Sequence, residues 1–167
     1  GRGVTATVIE HERPVELVTH YLVADRGAGD LVRLPTLVDG RPNLEGGRFD
    51  VAAPTGPRHL RHRDRSRQRW STPRRPEVVE HLAGSSLLPA IYFIFSRAAC
   101  DDAVRQCLRS GVRLTDATER HELRRIAEAR TATLSDEDLD ALGHHEWLAG
   151  MEAGVAAHHA GMVPPMK

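Results

Sequence analysis

The sequence predicts an α/β fold: an incomplete parallel sheet with flanking helices, entered through an extended segment. Three observations predict it. The run from Leu87 through Pro89, Ala90, Ile91, Tyr92, Phe93 and Ile94 to Phe95 is apolar without alternation, the pattern of a strand buried on both faces. An amphipathic stripe follows at once, with Cys100, Ala103, Val104, Cys107 and Leu108 at helical spacing, so strand and helix make half of a βαβ unit. Ahead of both lies a stretch dense in Pro, Gly and Arg that cannot bury a face. Hydrophobic content of 40% and charged content of 28% are those of a globular chain.

Taken in order, residues 4–9 are β-branched apart from Ala6 and read as a strand, and a second extended run covers 17–24 after Pro14. Residues 27–57 read as irregular, with one weak hairpin around Asp39 and Gly40. Residues 51–76 form an Arg-rich flexible linker. A short helix is expected over 77–82, closed by Gly84, and then the apolar strand 87–95. Ser96 can cap the next helix and Gly111 can end it. Another helix is expected over about 116–130, with Leu123, Ile126 and Ala127 inward. Ser135 and Asp138 make a capping signal for a helix carrying Leu139, Leu142, Trp147 and Met151. Gly154 interrupts it, and 155–159 can be the next strand. Of the seven aromatic residues, Tyr92, Phe93 and Phe95 crowd together, so the core is expected there. Two parallel strands are too few for a doubly wound sheet, and the sequence reads as an internal piece of a longer chain.

The formal charge is zero, yet residues 58–75 hold eight arginines, Arg58, Arg61, Arg63, Arg65, Arg67, Arg69, Arg74 and Arg75, against one acid, Asp64. Such a block suits a basic arm for a polyanion. Of 23 basic residues only Lys167 is lysine, so a GC-rich coding sequence explains the arginines as readily. Cys100 and Cys107 lie two helical turns apart, roughly 10 Å, too far for a disulfide. They read as small core residues in a reducing compartment, and the absence of a long apolar run suggests a soluble, cytoplasmic protein without a membrane.

Several chemical readings fail on spacing. His121-Glu122 lacks the second histidine of HExxH. The pairs His144-His145 and His158-His159 diverge by about 100° in a helix or point to opposite faces of a strand, so no metal site is expected. Asp136-Glu137-Asp138 has the letters of a DExD box but opens a predicted helix, where acids favour the dipole. A phosphate loop GxxxxGK[ST] is excluded, because the only lysine is Lys167.

Two stretches remain. Leu88-Pro-Ala-Ile-Tyr-Phe-Ile-Phe-Ser-Arg-Ala-Ala-Cys100 resembles motif IV of DExH-box helicases. Gly154-Val-Ala-Ala-His-His-Ala-Gly-Met-Val-Pro164 resembles the His-His-x-Gly segment of the superkiller-type RNA helicases. Their order, their separation of roughly sixty residues and the helices between them are similar to that superfamily-two family, above all its actinobacterial members. Residues 4–24 are similar, more weakly, to the segment leaving the first RecA-like domain, whereas 27–57 depart from the pattern. The resemblance implies that 1–50 leave the first RecA-like domain and that 77–167 form the N-terminal part of the second, with an incomplete RecA-like parallel sheet. It implies a parent protein that uses ATP and Mg2+ to unwind RNA or DNA, with the remainder of the helicase chain as partner. This piece would be inactive by itself and hold no catalytic residue. Carried over, Ser96 and Arg97 lie at the end of the first strand and His158, His159 and Gly161 at the end of the next, where nucleic-acid backbone is held. From the residues alone, Ser96 can equally be a plain N-cap and the histidines ordinary strand residues. The other readings are a non-enzymatic basic module that binds nucleic acid through the arm, and an independent small α/β interaction domain.

Overall fold

The computed structural model describes Ile9, residues 15–49 and residues 69–167. The strand expected at 4–9 therefore falls, apart from Ile9, outside the described residues, as do Arg58, Arg61, Arg63, Arg65 and Arg67. Helix and strand are both present, as expected of a mixed fold, and the chain divides into two compact units, Gly1–Thr72 and Pro73–Lys167.

The first unit is built on antiparallel strands. β1 (His20–Asp25) pairs along its whole length with β2 (Asp30–Pro35), Val23 opposite Val32, and on its other side with β5 (Trp70–Ser71). A smaller hairpin joins β3 (Leu37–Val38) to β4 (Arg41–Pro42). Its tip is Asp39 and Gly40, with φ of 51° and 71°, the left-handed pair that a twist-matched two-residue turn requires. That hairpin is where the sequence placed it; β2 is not. The Gly and Asp density after β1 reads as irregular but is a tight turn. Asp25 Oδ1 accepts the N–H groups of Gly27 at 2.9 Å and Ala28 at 3.3 Å and turns the chain back. A 3-10 segment, Leu44–Phe49, brings Phe49 edge-on to Tyr21 and Trp70, with centroids at 6.2 and 4.8 Å.

The second unit is helical among its described residues: α1 (Arg75–Gly84), α2 (Arg97–Arg109), α3 (Ala117–Thr131), α4 (Asp136–Ala141) and α5 (His144–Ala153), then a 3-10 turn, Pro164–Met166. α1 starts earlier than expected because Pro76 suits a first turn and Glu77 accepts from both the backbone and the side chain of Arg74, each at 2.7 Å. The last long helix divides at Gly143, whose φ of 66° no helix continues through, giving α4 and α5 instead of one. Asp136, Glu137 and Asp138 do open a helix: Ser135 Oγ accepts the Asp138 N–H, and Asp138 accepts the Ser135 hydroxyl at 2.6 Å.

The core of this unit lies among the helices, in Cys107, Val112, Ala127, Ala153 and Met166. α5 packs on α2 and α3, Leu114 donates its N–H to Ala153 O, and Arg124 donates to Glu152 across α3 and α5 at 2.5 Å. The aromatic core expected at 92–95 is therefore corrected: Phe93 and Phe95 are 82% and 108% exposed, and Tyr92 is exposed too. Residues 87–95 and 155–159 form no ladder, so the expected parallel sheet is absent among the described residues. The reason is that a strand needs a partner backbone for its N–H and C=O groups, and apolar composition does not supply one.

Candidate nucleic-acid interface

Two loops distant in sequence meet at the start of α2. Ser96, extended at φ −128° and ψ 130°, caps the helix by accepting the Ala99 N–H at 3.4 Å. Arg97 is the first helical residue; its side chain is exposed, and no ion pair or hydrogen bond holds it among the described residues. The second loop follows α5, which Gly154 ends with φ 76°. It carries His158, exposed, and a turn closed by the Met162 N–H on His159 O at 3.2 Å. A Cβ added to Gly161 would stand 3.3 Å from Arg97 Cδ, so the turn rests against the arginine stem.

His159 faces inward, its side chain 14% exposed, and both ring nitrogens are engaged. Nδ1 accepts the Gly161 N–H at 3.2 Å, which leaves the ring proton on Nε2 to be donated to Asp101 Oδ1 at 3.0 Å. Of the five residues singled out on the two loops, Ser96, Arg97, His159 and Gly161 are bound into one local arrangement, and His158 stands exposed beside it. Asp101 escaped sequence reasoning. It lies four residues after Arg97 in α2, but the contact that gives it a role is with His159, 58 residues away, which no local pattern marks. Behind the turn a cleft of about 340 Å³ runs between α2 and α5, lined by Asp101, Arg105, Glu146, Trp147, His159 and Met162.

The described part of the basic arm is spent on folded contacts. Arg69 donates to both oxygens of Asp25, at 2.8–3.1 Å, and covers Trp70 at 4.6 Å. That guanidinium holds the Asp25 carboxyl down to about 2. Arg74 pairs with Glu77, and Arg75 reaches Gln106 at 3.2 Å and Asp102 at 3.9 Å. The stretch 69–76 is thus structured, against the expectation of a flexible linker throughout. Cys100 and Cys107 are free thiols, and burial pushes the Cys107 thiol up. Among the described residues no helix is long and apolar enough to cross a membrane.

Known proteins resemble the chain over different extents. "Probable helicase HelY" of Mycobacterium tuberculosis is 41% identical over 181 residues, covering 99% of this chain and 19% of that protein. "DExH-box ATP-dependent RNA helicase DExH15 chloroplastic" of Arabidopsis thaliana is 32% identical over 100 residues, 60% of this chain and 8% of the relative. "Antiviral helicase SKI2" of Saccharomyces cerevisiae is 28% identical over 92 residues, 55% of this chain and 7% of the relative. No protein-family profile and no solved structure matches. All three relatives carry a helicase name, which sets the class. The chain is similar to HelY over nearly its whole length and to the DExH-box helicases over part of it, the pattern of a fragment of a superfamily-two DExH-box helicase. It spans about a fifth of the length of the curated relatives it matches over nearly its whole extent, 19%. The HelY match runs across nearly the whole chain, residues 27–57 included.

Proposed function

We propose that this chain is the part of an ATP-dependent RNA or DNA helicase that grips the nucleic-acid backbone from the second RecA-like domain. The observation that carries the reading is the junction of the two loops: an exposed arginine at a capped helix N-terminus, packed against the Gly161 turn from more than sixty residues away. A guanidinium can make a charge-assisted, bidentate contact with phosphate, and backbone N–H groups at a helix start add donors. His159, with both ring nitrogens engaged, shapes the loop; Arg97, with exposed His158 beside it, makes the contact. Residues 87–95 and 155–159 supply adjacent parallel strands once the rest of the RecA-like sheet is present, which accounts for the exposed Ile91, Phe93 and Phe95. The residues here do not fit a nucleoside triphosphate: no GxxxxGK[ST] occurs, and the acid triplet caps α4. ATP and Mg2+ belong to other parts of the full-length helicase.

The test is RNA affinity of full-length Arg97→Ala at fixed salt, alongside its unfolding midpoint. Loss of about 1–3 kcal/mol, equal across RNA sequences, is expected from removing a charge-assisted phosphate contact. Wild-type affinity, or loss of the fold, would sink the reading.

A further inference from the structure

Asp101 sets a negative charge beside the loop proposed to hold phosphate, where on electrostatics alone it works against binding. Its geometry gives it another use. The Gly161 N–H aims at His159 Nδ1, which can accept only while the ring proton stays on Nε2, and Asp101 Oδ1 receives that proton's hydrogen bond. The Gly161 turn in turn rests on the stem of Arg97.

Resting on the function proposed above, we infer that Asp101 is a positioning residue: through His159 it fixes the Gly161 turn against Arg97. Without the carboxylate, the largely buried Nε2–H loses its acceptor. The imidazole is then free to rotate, or to place its proton on Nδ1, where it would oppose the Gly161 N–H. Either change releases the turn, and RNA binding must then order a mobile loop. Hydrogen-bond acceptance, and not charge, is therefore what Asp101 contributes.

That distinction sets the experiment, run on the full-length helicase at one salt concentration with a single-stranded RNA as probe. Asp101→Ala should weaken RNA affinity by about three- to tenfold, the scale of one hydrogen bond. Asp101→Asn removes the charge but keeps an acceptor oxygen in place, and should bind as tightly as wild type or more tightly. In the Arg97→Ala background, Asp101→Ala should cost less than about twofold more, because the turn then has no arginine to align. If both Asp101 variants tighten binding, the residue acts only as a charge and the inference is overturned. It is overturned equally if Asp101→Asn loses as much as Asp101→Ala. Alanine is favourable within a helix and Asp101 is half-exposed, so Asp101→Ala should fold; failure to fold makes the residue structural and ends the inference. Arg97→Ala, measured alongside, separates the two levels. No effect there removes the proposed function itself, whereas an Arg97 effect without an Asp101 difference removes only the positioning role.

Discussion

Asp25 shows how one buried carboxylate organises the first unit. Its oxygens accept from two turn amides and from Arg69, joining β1, the following turn and the strand that pairs on the far side of β1. The folded carboxyl sits near 2, below its ordinary 3.8. The stabilisation this pairing supplies is complete above pH 3.8 and disappears as pH falls towards 2. Trp70 lies beneath the same guanidinium and reports on it. In a Trp147→Phe background, Trp70 fluorescence should reveal acid loosening of this unit within that window. Arg69→Met should shift the loosening to higher pH, and an unchanged acid limb in Arg69→Met would show that the pair does not support the sheet.

Among the elements, α5 is the one against which most of the second unit is arranged, and Gly150 permits it. A Cβ there would meet Val155 O at 2.8 Å and Val104 Cγ1 at 3.0 Å, and Gly150 is buried. Gly150→Ala should therefore destabilise by about 1–3 kcal/mol, as overpacking does, although alanine is the better helix former. Thermal unfolding measures the sign: a rise in midpoint would mean that α5 stands off from α2 more freely than this contact implies. The helices were legible because capping and periodicity are local. Ser96 and Ser135 each announced a helix that formed, and each accepts the backbone N–H three residues on, as Asp116, not singled out as a cap in the sequence, does at the start of α3. The sheet was less legible. β2 hid behind a Gly-rich turn, and the apolar run 87–95 has strand composition without a ladder partner. For the site, the sequence pointed to Arg97 and the 158–161 turn through their resemblance to known motifs. Asp101 could not be read because its meaning depends on a histidine 58 residues away.

For the molecule as a whole, the exposed apolar surface of the second unit decides how the chain relates to a larger protein. Ile91, Phe93 and Phe95 are 81%, 82% and 108% exposed, while the core beneath consists mostly of small residues. Large apolar side chains in that state mark a surface that another element covers. On the proposed function the covering element is the remaining RecA-like sheet, with 87–95 buried on both faces. The same substitution should then have two different costs. In this 167-residue chain, Phe93→Ser with Phe95→Ser should leave the unfolding midpoint nearly unchanged, since exposed positions rarely move stability by more than about 0.5 kcal/mol. In the full-length helicase the pair should cost several kcal/mol, on the order of 3–5 for each buried phenyl group lost. Thermal unfolding of both proteins, with and without the substitutions, measures the difference directly. Equal, small effects in the two proteins would mean that 87–95 remains at the surface of the whole helicase, and the strand assigned to it would have to be withdrawn.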